Sequence, residues 1–325
     1  MRVLSNNDFR TFEKICGLSQ KGLKKTLAAL LRSKYKEVVE TPDYLYAVGD
    51  IPIALCAHMD TVFPLPAKEV FYDRQKNVIW SPTGLGADDR AGVFAIIQII
   101  KKGLRPHIIF TTDEETGAWG ATALGKVNCP FEGLRYIIEL DRRGANDCVF
   151  YDCDNPKFTE YVESFGFVEA VGSFSDICMI CEDWGVAGVN LSIGYRDEHS
   201  TSEVLFVGQM LNTVDRVVSM LTVPADKIPT FEFIPAAYSN WWYGQWAASH
   251  YDNTHCFLCG QEFKNEDMIP VKLRNNLVKN FCIDCIVDNV SWCKVCGEAF
   301  EPTINDMGLC NDCRHEFFQE QYRAD

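Results

Sequence analysis

The sequence has no long hydrophobic run and no excess of positive charge, and its first residues do not resemble an export signal. No stretch of about 18 apolar residues occurs in its 325 residues, so no membrane-spanning helix is predicted. The first residues, MRVLSNNDFRTFEK, contain no apolar core of signal-peptide length, and we expect a cytoplasmic protein. With 31 Lys and Arg against 45 Asp and Glu, the net charge is -14 and no basic patch is visible. Neither nucleic acid nor an anionic membrane is therefore expected as a partner.

Cysteine is abundant, and its spacing argues against a secreted disulfide scaffold. Eight of the 15 cysteines form four CxxC pairs at the C-terminal end. Each pair can supply two thiolates to a tetrahedral zinc ion, whereas disulfide frameworks are typical of short secreted chains. We therefore predict two structural zinc ions, bound by Cys256, Cys259, Cys282, Cys285, Cys293, Cys296, Cys310 and Cys313. The similar segments CFLCGQEF and CKVCGEAF favour sequential pairing, and a cross-braced arrangement stays open.

The role of this cysteine-rich module has two readings. Zinc can simply staple a small domain whose core is too small to fold alone. Alternatively, the module contacts a protein partner or covers an active site. From Asp252 onward, 13 acidic side chains outnumber 7 basic ones, which again disfavours nucleic acid. A fifth pair, Cys178 and Cys181, lies in the apolar segment SDICMICEDWG and is interpreted as core.

The rest of the chain alternates two kinds of segment. IPIALCAH, HIIFTTD and RYIIELD look like strands, whereas SQKGLKKTLAALLRSKY, RAGVFAIIQIIKKG and SEVLFVGQMLNTVDRVVSMLTV look like helices. This alternation predicts an α/β three-layer sandwich with a largely parallel central sheet over residues 1–228. Residues 229–252 form an aromatic-rich connector, and residues 253–325 form the zinc-stapled module.

Histidines and carboxylates follow the predicted strands. His58 comes after IPIALCA, Glu114 after HIIFTTD and Asp141 after RYIIEL, which are the strand ends where functional groups gather in parallel sheets. The segments GADDR and EHSTSE add further groups of the same kind. Imidazole and carboxylate are ligands that zinc, cobalt and manganese accept. Together the segments predict a two-metal hydrolase, in which water attacks a carbonyl.

Each of these residues also has an ordinary reading when taken alone. His58 could be a core histidine, Asp88 and Asp89 could cap the following helix, and Asp141 could pair with a neighbouring arginine. The HxD spacing changes the first reading, because Asp60 can accept the second imidazole N–H of His58. The adjacent Glu114 and Glu115 would point in opposite directions on an extended segment, so that one binds metal and the other reaches the water.

CAHMDT, GADDRAG, DEETG, ELDRRG and the late histidine resemble, in this order, the clan of cocatalytic di-zinc exopeptidases, the M20, M28 and M42 peptidase families. The motifs look most like those of tripeptide aminopeptidases and glutamyl aminopeptidase-like enzymes, over roughly residues 50 to 215. The resemblance implies two catalytic divalent ions, zinc or else cobalt or manganese. It also implies that His58, Asp88 and Asp141 bind one metal and that Asp88, Glu115 and His199 bind the other, so that Asp88 bridges the two. Asp89 would lie nearby, Glu114 would be the general base, and Asp60 would orient His58.

Two departures from the clan bear on the substrate. Tripeptide aminopeptidases insert a lid and dimerisation domain between the segments that match Asp141 and His199, where only 57 residues intervene here. Glutamyl aminopeptidase-like enzymes carry an insertion between the segments that match His58 and Asp88, where this chain has 29 residues. We therefore expect a bare catalytic core, and the zinc module is a candidate for part of the missing lid's work.

Three functions remain open at this stage. The first is an aminopeptidase that cleaves a peptide with two bridged metals and a glutamate base. The second is a related amidohydrolase or deacylase that acts on a small N-acyl or non-peptide amide with the same metals. The third is a non-catalytic adaptor recruited through the zinc module, which is the weakest because none of the required residues is missing.

Overall fold

The computed structural model describes residues 2–172, 174–236, 268–272, 278–282, 291–292, 294 and 299–300. The chain divides into two compact units, Met1–Ala236 and Ala237–Asp325. Within the described ranges, no helix combines the length and the apolar character needed to cross a membrane.

The first unit is built on an eight-stranded sheet. Its strands are β1 (Glu37–Glu40), β2 (Tyr44–Val48), β3 (Ile51–His58), β6 (Pro106–Thr111), β7 (Tyr136–Arg142), β8 (Asp147–Val149), β9 (Val168–Glu169) and β10 (Gly188–Ser192). They lie in the order β1-β2-β6-β3-β7-β10-β8-β9. The central strands β6, β3, β7 and β10 are parallel, while β1, β2 and β8 pair antiparallel with neighbours towards the edges. The largely parallel central sheet is thus confirmed.

Helices cover both faces of this sheet. They are α1 (Asn6–Cys16), α2 (Gln20–Arg32), α3 (Ala87–Lys101), α4 (Trp119–Gly125), α5 (Pro156–Glu163), α6 (Ile177–Trp184), α7 (Val207–Leu221) and a 3-10 helix (Ala225–Lys227). The strand period of two separates the faces: Leu55 and Ala57 of β3 pack with α1, α3 and α7, whereas Ala54 packs with α4 and α6. Cys181 packs in the core on the α4 and α6 side, as predicted, whereas Cys178 is only half-buried. The result is the expected three-layer sandwich.

A second, antiparallel sheet lies in the same unit and corrects one sequence prediction. It contains β4 (Phe71–Asp73), β5 (Val78–Trp80), β11 (Tyr195–Arg196) and β12 (Val204–Phe206), in the order β11-β12-β5-β4. The segment SEVLFVGQMLNTVDRVVSMLTV was predicted to be helical throughout, but its first apolar residues form β12 and α7 begins at Val207. Pairing of β12 with β5 overrides the helical pattern there, because Leu205 is buried opposite Ile79. The loop between β11 and β12 carries His199.

The residues that follow α7, up to Ala236, still pack within the first unit. Phe231 is buried there, and isolated bridges join Glu232 to Val186 and Pro235 to Cys153. The rest of the predicted connector, residues 237–252, lies outside the described residues.

The second unit contains a four-stranded sheet in its described part. The strands are β13 (Met268–Lys272), β14 (Val278–Cys282), β15 (Ser291–Trp292) and β16 (Ala299–Phe300), in the order β14-β13-β16-β15. Val271 and Phe281 are buried. Cys282 ends β14, and the other seven predicted zinc ligands lie outside the described residues: Cys256, Cys259, Cys285, Cys293, Cys296, Cys310 and Cys313. The zinc module therefore stays a prediction.

Candidate metal centre

Five of the predicted ligands meet at the C-terminal edge of the central strands. His58 is the last residue of β3, Asp141 lies near the end of β7, and Asp88 lies at the start of α3. Glu115 follows β6, and His199 lies in the loop between β11 and β12. The order of the strands, β6-β3-β7, brings these distant parts of the sequence together.

Asp88 lies between the two histidines. Its Oδ1 is 3.0 Å from Nε2 of His58, and its Oδ2 is 3.2 Å from Nε2 of His199. His58 Nε2 is also 3.6 Å from Oδ1 of Asp141, and His199 Nε2 is 3.1 Å from Oε2 of Glu115. Two groups of three candidate ligands therefore share Asp88, and within each group the potential ligand atoms lie within 4.8 Å of one another.

Asp60 connects β3 to the turn that carries the two glutamates. Its Oδ1 is 3.2 Å from Nδ1 of His58 and accepts the N–H of Glu114 at 3.1 Å, while its Oδ2 accepts the N–H of Glu115 at 3.0 Å. Glu114 and Glu115 were expected on an extended segment, but they lie in a turn. That expectation was wrong, because Asp60 accepts hydrogen bonds from the backbone N–H groups of both glutamates and so holds them in the turn. Both glutamates nevertheless lie within ligand distance of His58.

The start of α3 selects Asp88 over Asp89. Both residues have non-helical backbone angles although they lie within the helix bounds. Oδ1 of Asp89 accepts the N–H of Gly92 at 2.8 Å, whereas Asp88 faces the histidines. Glu203 holds this segment by accepting the N–H groups of Ala87 and Asp88, each at 3.0 Å. The sequence alone did not decide which aspartate of the pair would bridge two metals. The backbone at the start of α3 places Asp88, and not Asp89, against the two histidines.

The electrostatics reflect an excess of buried negative charge. Burial, reinforced by neighbouring carboxylates, raises the pKa of Glu114 to about 10 and that of Asp141 to about 7. Hydrogen bonds to Asp88 and Glu115 raise the pKa of His199 to about 11. Burial opposes ionisation of Asp88, but its hydrogen bonds with His199 and His58 hold its pKa well below the usual range. A cation bound between these side chains would lower the pKa values of the carboxyl groups and keep them ionised.

The side chains present fit divalent metal ions. Two imidazoles and three carboxylates form the donor set that zinc and similar cations accept. Oε1 of Glu115 is buried and has no hydrogen-bond partner, so it is free to act as a ligand. Asp60 can hold Nδ1 of His58 in the protonated form, which leaves Nε2 available for a metal.

Several residues that support Asp141 were not found from the sequence. Tyr195 Oη donates to Oδ1 of Asp141 at 3.1 Å, and Ser175 Oγ donates to Oδ2 at 3.2 Å. Asn190 Oδ1 accepts the backbone N–H of Asp141 at 2.9 Å. Glu203, which holds the start of α3, was missed as well. Glu203 lies four residues after His199, in the segment EHSTSE, and its place directly before the apolar residues VLF was the available signal.

Neither a protein-family model nor a curated protein sequence matches the chain. Several solved structures are similar in fold. Aminopeptidase PepT from Bacillus cereus is 16% identical with a TM-score of 0.55, over 67% of this chain and 98% of that one. A tripeptidase from Staphylococcus aureus is 14% identical with a TM-score of 0.56, over 69% and 100%. A TET aminopeptidase from a marine sediment Thaumarchaeota archaeon is 13% identical with a TM-score of 0.55, over 67% and 97%. The first unit has the α/β fold of these aminopeptidase structures.

Proposed function

We propose that this protein is a cytoplasmic, metal-dependent aminopeptidase that removes an N-terminal residue from peptides. The observation that carries the proposal is the position of Asp88, whose two carboxylate oxygens each face a different histidine. One carboxylate shared by two ligand groups is able to bridge two metal ions. The fold shared with known aminopeptidase structures supports the same assignment.

The ligand roles follow the two groups of side chains. His58, Asp88 and Asp141 would hold one cation, and Asp88, Glu115 and His199 the other. Bound there, divalent cations such as zinc, cobalt or manganese would acidify a water, polarise the substrate carbonyl and bind a free α-amine.

Glu114 is proposed as the general base. It lies beside His58 and Glu115 without being needed in either group that shares Asp88. Its pKa, which burial raises to about 10, must fall before it can accept a proton, and positive charge beside a carboxylate lowers its pKa. Glu114 then takes the proton of the attacking water and returns it to the leaving amine. Asp60 positions both partners, because it holds His58 and the backbone N–H of Glu114.

For the second unit we propose two structural zinc ions on the four CxxC pairs and a contact with a protein partner. The proposal rests on the cysteine spacing and on the acidic composition after Asp252.

The substitution Glu114→Gln tests the catalytic assignment. It removes the base but keeps the shape of the side chain, so we expect kcat to fall by about 10²- to 10⁴-fold while the metal content stays the same. Peptide hydrolysis and elemental analysis measure the two quantities. Glu132→Gln, at an exposed glutamate, is the matched control and should leave both unchanged. Substantial turnover by a metal-loaded Glu114→Gln variant would rule out Glu114 as the base.

A further inference from the structure

A second group of potential ligands lies on the α4 and α6 side of the sheet, next to the metal centre. It consists of Cys56, Glu139 and Asp176, whose ligand atoms lie within 4.8 Å of one another. All three residues are 0% exposed. Cys56 and Glu139 are register partners on β3 and β7, each two residues before a proposed metal ligand. Because side chains on a strand repeat every two residues, Cys56 shares the face of His58 and lies one step deeper along β3. Glu139 lies close to Asp141, although the register of β7 shifts between Glu139 and Arg142.

The carboxylates of this group are short of hydrogen-bond donors. Three buried oxygens have no hydrogen-bond partner: Oε1 and Oε2 of Glu139 and Oδ1 of Asp176. The Thr111 hydroxyl donates to Oδ2 of Asp176. Ser175 lies beside Glu139, but a hydroxyl has one proton, and that of Ser175 is donated to Asp141. Three acceptor atoms are therefore left in a dry environment, where an unpaired carboxylate is costly.

Basic side chains do not neutralise the group either. In the part of the chain that the structure describes, neither Glu139 nor Asp176 forms an ion pair with Lys or Arg. The nearby imidazole of His58 already lies against Asp60, Asp88 and Asp141. Either protons on the carboxyl groups or a bound cation must therefore compensate the two carboxylates.

The position of the thiol favours a bound cation over protonation alone. The Sγ of Cys56 lies within 4.8 Å of the ligand atoms of Glu139 and Asp176. A proton shared between the two carboxylates would not require a thiol at this position. One thiolate with two carboxylates is a ligand set for a borderline cation such as zinc rather than for calcium or magnesium.

We propose that Cys56, Glu139 and Asp176 bind a further divalent cation, of zinc-like character, separate from the pair around Asp88. Binding requires the thiol to lose its proton, which passes to solvent, and the two carboxylates to be ionised. The cation would neutralise the charge beneath the metal centre and join the start of α6 to β3 and β7.

Anomalous diffraction from crystals of the full chain, grown with zinc and measured on both sides of the zinc edge, tests the site by position. We expect an anomalous peak between Cys56, Glu139 and Asp176. Peaks beside Asp88 with none in this group would overturn the proposal and leave the proposed function intact. A peak in this group with none beside Asp88 would support it and contradict the two-metal centre. A short contact between the two carboxylates without a peak would show a shared proton, and would also overturn it.

Metal counting in solution provides an independent test. Cys56→Ala should lower the zinc content by one equivalent per chain. Cys148→Ala is the matched control, because Cys148 is also a free, fully buried thiol. It should keep the wild-type content. Equal zinc in the two variants, with both folded by circular dichroism, would contradict the site; Glu139→Gln repeats the measurement without changing the size of the side chain.

Discussion

The two sides of Asp88 are built from different kinds of structure. On one side, His58 ends a central strand and is fully buried, and Asp141 lies on the neighbouring strand. On the other side, the His199 side chain is 53% exposed in a loop, and Glu115 lies in a turn. His199 also has a left-handed backbone with φ of 62°, which is uncommon for a residue other than glycine. One half of the centre is thus part of the core, whereas the other half combines a buried glutamate with a half-exposed histidine.

Because of this difference, the two halves should differ in how tightly they bind metal and in how easily a substrate reaches them. Side chains locked by a sheet and by hydrogen bonds are preorganised, so the half that contains His58 should bind its cation tightly. The half that contains His199 is open to solvent and is the side from which a substrate can approach. We therefore expect the His199 half to exchange its metal more readily.

Removing each histidine in turn gives the largest expected contrast. His58→Ala leaves Asp60, Asp88 and Asp141 buried without their imidazole, so the metal-free protein should lose about 3 kcal/mol of unfolding free energy. His199→Ala should cost less, about 1 kcal/mol, because that side chain is half exposed although it contacts Asp88 and Glu115, and it should also lower metal occupancy. Urea unfolding of chelated protein and elemental analysis measure the two effects. Similar losses of stability in both variants would mean that the two halves do not differ as described.

Asp60→Asn sharpens the comparison on the buried side. The amide offers one acceptor oxygen, whereas Asp60 holds His58 and two backbone N–H groups. We expect metal affinity to fall about 10- to 100-fold, as when other carboxylates behind ligating histidines are removed. Metal-binding titrations give the value, and Asp43→Asn serves as an exposed control. If affinity were unchanged, Asp60 would not be positioning His58.

His107 on β6 shows what burial does to a histidine outside the metal centre. Burial lowers its pKa to about 4, although Asp50 opposes the shift, and its Nδ1 accepts the N–H of Gly49 at 3.1 Å. Below the ordinary histidine pKa of about 6.5, the unfolded chain takes up a proton that the folded chain does not. Stability present above pH 6.5 is therefore lost as the pH falls towards 4, by about 2 kcal/mol at pH 5.

The variant His107→Gln isolates this contribution. It should lose about 2 kcal/mol less than the wild type between pH 7 and pH 5, since glutamine does not titrate. Unfolding free energies at the two pH values provide the comparison. Identical pH dependence in both proteins would show that His107 is not buried in its neutral form.

The sequence predicted the parts of the molecule that follow local patterns. Strands that bury both faces appear as apolar runs, so the positions of His58 and Asp141 at the strand ends could be predicted before the structure was known. The helical pattern of α7 was also visible, but β12 was not, because only its pairing with β5 distinguishes it. The turn at Glu114 depends on hydrogen bonds to Asp60, 54 residues earlier in the chain, which no local pattern reports.

Residues whose partners are distant in sequence were missed. Glu203 contacts the start of α3, and Asp176 meets Glu139 and Cys56, only through the tertiary fold. One signal was available for Glu139: it lies two residues before Asp141 in an apolar strand, and a regular strand would place the two carboxylates on one face of the sheet. Read in this way, the segment RYIIELD predicts a buried carboxylate next to the metal centre.

The most direct test of the proposed aminopeptidase compares one tripeptide with a free and with an acetylated amino terminus. The chelated 325-residue chain would be assayed with and without added zinc, and the products identified by mass spectrometry. The account predicts loss of the N-terminal residue from the free peptide only, and only when zinc is present. Cleavage that is equal for both peptides, or release of acetate from the acetylated one, would instead support an amidohydrolase or deacylase, and cleavage unaffected by chelation would contradict the metal centre.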